Sequence, residues 1–370
     1  MQTTKTAAAA GIARLRKSYS GLLASGKKLS LLNLLDGPHP SIADYCRSYH
    51  PNAANDQLTS AVKNWSHSYG IWLQSGEHYL TCATYLFPAA DYQRGVYVVK
   101  NCAVDYYLNE TIGRDVFRKL SPARQQEAAR MIRRMASLSD NFQLPALPLP
   151  VESANYEMLC EIRDTSPDAW FREFLKMYSY HIGITHRDTT SGGLQKVLNV
   201  NEYINLRLHT SGMPHILLLI EYATGRFLDW KWLERQGMKA DMEQLQRDTA
   251  LFGALSNDLF SFEKEVIDCH TDTNLVAVYA LNNPELPLPA VIRQVAAIVN
   301  KCLSGYFETV SRMENRLRML ETTHAPEVED MNVCLHGIRQ CVQASWIWQV
   351  YTRRYKRMDS IFRETTLQEA

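Results

Sequence analysis

Asn257-Asp258-Leu259-Phe260-Ser261-Phe262-Glu263-Lys264-Glu265 closes a long apolar run and sets an amide, a hydroxyl and a carboxylate four residues apart. On an α-helix, at about 100° per residue, Ser261 falls roughly 40° and Glu265 roughly 80° around from Asn257, with Lys264 roughly 20° the other way. Three oxygen ligands and one cation therefore share a narrow stripe. Leu251, Phe252, Leu255, Leu259, Phe260 and Phe262 around them are the residues of a buried helix. The stripe faces a cavity or contacts solvent, because the same polar set closed inside a core would be costly. Amide, hydroxyl and carboxylate oxygens are hard ligands that suit Mg²⁺ and leave positions for water and phosphate oxygens. Lys264 beside them suits an anion bound to such an ion.

Helical period continues outward from this stretch. Gln125, Ala128, Met131, Ile132 and Met135 follow it, as do Ile292, Val295, Ile298, Val299 and Leu303. Strand alternation and hairpin dipeptides are nearly absent, so the chain reads as all-α. The proline run 144–150, the polar turn 188–193 and the cluster of Pro284, Pro287 and Pro289 read as loops between helices of one domain, since no polar linker or composition shift accompanies them. Residues 1–57 are expected to be an N-terminal arm and leading segment, and 58–370 one helical domain.

With 46% hydrophobic and 21% charged residues, the chain has the composition of a soluble globular protein. A net charge of +1 removes the usual electrostatic argument for a nucleic-acid partner. The eight cysteines show no C-x-x-C, and the histidines no ligand-like spacing, so neither a zinc site nor a disulfide framework is indicated. A cytoplasmic location is the default. Apolar runs such as Ile216 to Ile220 and Leu275 to Leu281 are too short to span a bilayer. The first 35 residues lack acids and carry Lys5, Arg14, Arg16, Lys17, Lys27 and Lys28, a pattern of a flexible basic arm or of an organelle transit peptide.

Three further segments carry chemistry. Asp105-Tyr106-Tyr107-Leu108-Asn109-Glu110 places Asp105 and Asn109 one helical turn apart, while Glu110 lies roughly 140° from Asp105 and joins them only where the helix ends or bends. An ordinary surface helix has the same look. From Asn201 to Leu219 a helix is interrupted at Ser211-Gly212-Met213-Pro214, because Pro214 lacks an amide hydrogen and Gly212 tolerates irregular backbone. Arg207, one turn earlier, is suited to paired hydrogen bonds with phosphate oxygens, or is a surface arginine beside a kinked core helix. Trp346, Trp348, Tyr351, Arg353, Arg354 and Tyr355 form an aromatic and basic helical segment on which Trp348, Thr352 and Tyr355 share a face. Such a segment packs a core or presents an aromatic wall to a cation.

In this order along the chain, over roughly residues 60–356, the four elements resemble the type I (class I) terpene synthases. The nonapeptide is similar to that family's N-D-x-x-S-x-x-K-E motif, which implies Asn257, Ser261 and Glu265 as metal ligands and Lys264 as the basic residue beside them. Arg207 resembles the diphosphate sensor, with Thr210 and Ser211 at the linker and effector positions of the helix break. Arg354 and Tyr355 look like the terminal Arg-Tyr pair that hydrogen-bonds diphosphate. Asp105 falls where the aspartate-rich metal motif begins, which implies Asp105, with Asn109 and Glu110 at its far end, as further metal ligands, and Tyr106 stands in place of the second acid.

The resemblance implies a single-domain all-α helical bundle around an apolar cavity. It implies about three Mg²⁺ ions and a linear isoprenyl diphosphate, farnesyl or geranylgeranyl, converted to a hydrocarbon or alcohol by a monomer or homodimer. It also implies that Trp346 or Trp348 faces the cationic intermediates. A helical protein that binds an isoprenoid diphosphate without turning it over is the alternative, and an all-α interaction scaffold is a third.

Overall fold

The computed structural model describes residues 2–367, apart from the side chains of residues 2–5, 77, 114 and 115. The Lys5 side chain of the expected basic arm, and residues 1 and 368–370 of the two expected segments, lie outside the described residues. The longer helices are α1 (Gln2–Ala24), α2 (Asn55–Ser68), α3 (Glu77–Leu86), α4 (Tyr92–Ile112), α5 (Pro122–Ala136), α6 (Pro150–Asp164), α7 (Asp168–Thr185), α8 (Val200–Thr210), α9 (Met213–Thr224), α10 (Lys239–Phe262), α11 (Leu275–Asn282), α12 (Leu288–Leu320) and α13 (Ala325–Tyr351). Among the described residues there is no β-strand, only isolated bridges pairing Leu29 with Phe362 and Arg357 with Thr366. The fold is all-α, as the periodicity requires.

Helix α10 is the central rod. Its apolar residues run around the whole circumference, so Ala250, Leu251, Phe252, Ala254, Leu259 and Phe260 are all buried, the pattern of a helix with neighbours on every side. It packs against α12 and α13, and α8, α9 and α11 also contact it. Each such Leu or Phe contributes about 1.5–3 kcal/mol by leaving water, which fixes the position of the polar groups carried on the same rod. Helix α12 is one-sided by contrast. Val291, Ile292, Val295, Val299 and Leu303 face the core at spacings of three and four residues.

The chain from Asn199 to Thr224 is two helices. Asn199 and Glu202 form a reciprocal capping box at the start of α8, and the helix stops at Thr210. Gly212 then adopts φ +78°, a left-handed conformation that L side chains disfavour. Pro214 lies in the first turn of α9, where its missing amide hydrogen costs nothing. Pro289 opens α12 in the same way, so it starts a helix instead of breaking one.

The first residues are helical and packed, which corrects the expectation of a flexible arm. Ala8, Ile12, Leu15 and Tyr19 form a buried stripe, and α1 contacts α11, α12 and the turn around Glu263. Gly11 permits the approach, since a Cβ there would stand 2.2 Å from Leu281 Cδ2. Alanine has the highest helix propensity, so the Ala-rich composition that reads as an arm favours a helix once an apolar stripe has a surface to cover. The hydrophobic core runs continuously from Ile12 to Phe362.

Candidate active site

A cavity of ≈ 310 Å³ opens between α3, α4, α8, α9, α10 and α13, a volume at the low end for small-molecule sites. Of the expected site residues, Asp105, Asn109, Glu110, Arg207, Thr210, Ser211, Asn257, Lys264, Glu265, Arg354 and Tyr355 line it. Ser261 lies just behind the wall, 1% exposed. Residues as far apart in sequence as 105 and 355 thus meet in one space.

The nonapeptide is not one regular helix. Helix α10 ends at Phe262, and Glu263–Asp268 form a π-helical turn. A wider turn advances less angle per residue, so Glu265 comes back toward the line of Asn257 and Ser261 instead of lagging it by the α-helical angle. Its Oε2 accepts a hydrogen bond from Asn274 Nδ2 at 3.1 Å. Asn257 Nδ2 donates to Tyr355 Oη at 2.8 Å and to Gln349 Oε1 at 3.1 Å, which leaves its carbonyl oxygen directed at Arg207. Ser261 Oγ is buried and has no hydrogen-bond partner among the described residues. A buried hydroxyl left so costs about 1–3 kcal/mol, and a cation between it and its two oxygen neighbours would remove that cost. The donor set is amide, hydroxyl and carboxylate, so it fits a hard divalent ion.

Arg207 is 7% exposed and doubly held. Its Nε donates to Asp258 Oδ1 at 2.8 Å and its Nη2 to Asn257 Oδ1 at 3.0 Å. Asp258 is fully buried and also accepts from Tyr203 Oη at 2.6 Å and Leu275 N at 2.8 Å. The arginine therefore reaches the cavity on a rigid buried support.

Arg354 and Lys264 approach Glu110 from two sides, at 3.1 and 3.9 Å from Oε1. Arg354 also bonds Tyr79 Oη and lies 4.5 Å above the Tyr79 ring and 5.8 Å from that of Tyr106. These two rings stack at 3.9 Å. Tyr106, standing where an acid was expected, is thus one leaf of an aromatic bed under the arginine. Burial pushes the Glu110 carboxyl up, but Arg354, Tyr79 and Lys264 outweigh it and hold it below the usual range. Helix α4 ends at Ile112, and that nearby end accompanies the entry of both Asp105 and Glu110 into the cavity.

The C-terminal segment differs from expectation. Helix α13 stops at Tyr351, and Thr352 turns the chain with φ −58° and ψ 137° while its hydroxyl caps Arg354 N. Trp348, Thr352 and Tyr355 therefore share no helical face, although the Trp348 and Tyr355 rings meet edge to face at 6.3 Å. Trp348 lines the cavity. Trp346 packs on Phe260 at 5.4 Å and is not part of the cavity wall.

Histidines are the group that sequence reading missed. Asp105 Oδ1 lies 2.8 Å from His181 Nε2 and 3.6 Å from His186 Nε2. Burial raises the Asp105 carboxyl, but the two imidazoles overcome this and hold it well below the usual range. His215 lies tilted beside His181 at 4.9 Å between ring centres, and burial with His181 beside it pushes its ring down to about 3. His181 and His186 are five residues apart, a spacing that points two side chains away from each other on a continuous helix. They converge because α7 ends at Thr185 and His186 leaves the helix with ψ 63°.

Comparison with known proteins bears on the fold and the family. A sequence profile described as "Terpene synthase family 2, C-terminal metal binding" matches residues 110–304, just over half of the 370 residues. Among curated relatives, 10-epi-cubebol synthase of Sorangium cellulosum is 22% identical over 320 residues, covering 84% of this chain and 95% of that protein. Sesquiterpene cyclase hepA of Aspergillus oryzae is 23% identical over 190 residues, 51% of this chain and 48% of that protein, so the match spans about half the length of that relative. In structure, α-eudesmol synthase superposes with a TM-score of 0.71 at 15% identity, covering 85% of this chain and 98% of that one. Linalool/nerolidol synthase from Streptomyces clavuligerus gives 0.68 at 14% identity, with 82% and 97% covered. No described helix is long and apolar enough to cross a membrane. With the profile covering both Arg207 and the Asn257–Glu265 segment, the chain belongs to terpene synthase family 2.

Proposed function

We propose that this terpene synthase ionises a linear isoprenyl diphosphate, of the farnesyl class, and converts the cation to a terpene hydrocarbon or alcohol. One observation carries the reading. Arg207, Lys264 and Arg354 converge with the oxygen donors Asn257 and Glu265 on a cavity whose other wall is apolar, including Val98, Phe87, Met213, Ile216 and Trp348. Such a site binds an anionic head and an apolar tail together. The farnesyl assignment draws on the modest cavity volume and on a relative whose name specifies it, a (2E,6E)-farnesyl diphosphate-cyclising muurolol synthase, beside one named a sesquiterpene cyclase. The relatives matched are named as synthases and cyclases, which supports turnover over mere binding.

Asn257, Ser261 and Glu265 would hold Mg²⁺ on one side and Asp105, with Asn109, a further ion on the other, about three ions in all. Bound there, the ions add positive charge against the diphosphate oxygens. Arg207 and Arg354 donate hydrogen bonds from fixed positions, with Lys264 as a third positive charge and Tyr355 as a neutral donor. Because they are already oriented, they stabilise the charge that develops as the carbon–oxygen bond breaks and its electron pair leaves with diphosphate. Glu110, closed on Arg354 and Lys264, acts as their counter-charge. Thr210 and Ser211 hold the break between α8 and α9, where Ser211 Oγ accepts from Met213 N at 3.2 Å. The apolar wall keeps water from the allylic cation, and the Trp348 ring face lowers its energy. A proton lost, or a water gained, ends the reaction.

Purified protein incubated with Mg²⁺ and farnesyl or geranylgeranyl diphosphate should release diphosphate and a volatile product, fastest from farnesyl. Asn257→Ala should abolish the release. No diphosphate from either substrate, with Asn257→Ala indistinguishable from wild type, would overturn the proposal.

A further inference from the structure

The cluster of Asp105, His181 and His186 is chemically unlike the oxygen donors on α10. One ligand atom from each residue lies within 4.8 Å of the other two. A divalent ion with bonds of about 2.0–2.1 Å to nitrogen and oxygen holds adjacent ligands roughly 2.9–3.4 Å apart. The distances of 2.8 and 3.6 Å from Asp105 Oδ1 to the two Nε2 atoms bracket that edge, so small side-chain rotations would complete a three-ligand set.

Two further observations point to an ion. His186 is 1% exposed, and neither of its ring nitrogens has a hydrogen-bond partner among the described residues. An imidazole buried in that state is costly unless something occupies it. His181 is oriented from behind, with Nδ1 3.0 Å from the carbonyl oxygen of His209, at the end of α8. As a donor to that carbonyl, Nδ1 keeps its proton, while Nε2, which donates to Asp105, releases its own proton to solvent when it ligates the ion, the arrangement of metal-bound histidines. The helix break thus serves a second purpose, since it supplies the carbonyl that sets the tautomer.

We propose that Asp105, His181 and His186 form a binding site for a divalent transition-metal ion of the Zn²⁺ or Co²⁺ kind, distinct from the oxygen-donor site on α10. Two imidazoles and one carboxylate select such ions over Mg²⁺, which prefers oxygen donors throughout. Asp105 and His186 both line the cavity, so the open coordination position is available to a water or a substrate oxygen. The reaction site would then hold ions of two kinds, one chosen by nitrogen and one by oxygen. The proposal shares Asp105 with the functional reading but needs no isoprenoid substrate.

The test uses the full chain, stripped with chelator, without any diphosphate, in millimolar Mg²⁺. Titration with Co²⁺ should give one equivalent of visible absorption, and Zn²⁺ should displace it. Affinity should fall about 100-fold or more in His181→Ala and His186→Gln and stay unchanged in Glu265→Gln. X-ray absorption of the Zn²⁺-loaded wild type should show two imidazoles, a reading that does not depend on how the variants fold. Absence of Co²⁺ binding, its displacement by Mg²⁺, or fewer than two imidazoles on zinc would overturn the site. Failure here leaves diphosphate release by the α10 donors untouched, and failure of turnover leaves Co²⁺ binding untouched.

Discussion

Arg207 Nη2 donates a hydrogen bond to Asn257 Oδ1 at 3.0 Å. The oxygen that a metal ion would use is therefore held by the arginine that would grip the diphosphate. A diphosphate would offer Nη2 a stronger, charged acceptor while Nε stays on Asp258, and would release the amide oxygen for the ion. Anion and metal would then bind cooperatively through one side chain. Arg207→Lys removes the paired donors but keeps the charge, and turnover should fall by about 10²–10³. The dependence of Mg²⁺ half-saturation on diphosphate concentration should weaken as well. Kinetics over a grid of both concentrations would show this, and an unchanged coupling would detach Arg207 from the metal.

Glu110 offers a second reading of charge. Its single carboxylate faces both Arg354 and Lys264 and offsets part of their charge. Glu110→Gln should free both cations, lowering the KM for the diphosphate several-fold while leaving the Mg²⁺ half-saturation unchanged. A rise in the Mg²⁺ requirement would instead assign Glu110 to an ion.

Much of this site was legible because its chemistry lies along one rod. Asn257, Ser261 and Glu265 could be placed on a stripe by helical angle alone, and the surrounding leucines and phenylalanines announced the buried helix. What escaped was anything set by an ending. The π turn at Glu263, the stop of α13 at Tyr351 and the exit of His186 from α7 each change which side chains meet, and none leaves a periodic signal. The acid-free, basic start departs from expectation for a related reason. Composition describes a free chain, whereas Ala8, Ile12, Leu15 and Tyr19 find their partners on helices some 250 residues away in sequence.

Those partners give the first helix a measurable role. Tyr19 Oη donates to Glu263 Oε1 at 2.9 Å, and the same carboxylate accepts from Ser360 Oγ at 2.6 Å and Ile361 N at 3.0 Å. Glu263, 1% exposed, ties both ends of the chain to the turn that carries Glu265. Tyr19→Phe should cost about 1–3 kcal/mol of stability, read from urea midpoints. Glu263→Ala, which strands these donors and the Thr365 hydroxyl as well, should cost more.

Glu221 should govern how stability falls between pH 4.5 and about 7. It is 1% exposed, accepts one bond from Leu228 N at 3.0 Å and leaves Oε1 without a partner among the described residues. Burial pushes its carboxyl from 4.5 up to about 7. Because the folded value is the higher one, the stabilisation is full below pH 4.5 and is lost as pH rises through about 7. At about 1.4 kcal/mol per unit, the loss is about 3 kcal/mol. Glu221→Gln should therefore flatten the pH profile, matching wild type near pH 5 or falling slightly below it, and exceeding it at pH 8. Equal slopes for the two proteins in urea denaturation would place the titration elsewhere.

Gly212 links the helix break to the histidines. At φ +78° an alanine is strained by about 1–2 kcal/mol, and its Cβ would stand 3.0 Å from His215 Cε1 and 3.4 Å from His181 Cε1. His181 cannot move away freely, since Nδ1 is held at the His209 carbonyl and Nε2 at Asp105. Gly225, at φ +69°, imposes similar backbone strain, but a Cβ there meets the Arg94 guanidinium, 3.1 Å from Nη1, which is not part of the cavity wall. Both alanine variants should lose comparable thermal stability, while Gly212→Ala alone should lose turnover, by about tenfold for a displacement of a few tenths of an ångström propagated to Asp105. Equal turnover in the two variants would mean that the break positions backbone only, and that the histidines sit where they do independently of it.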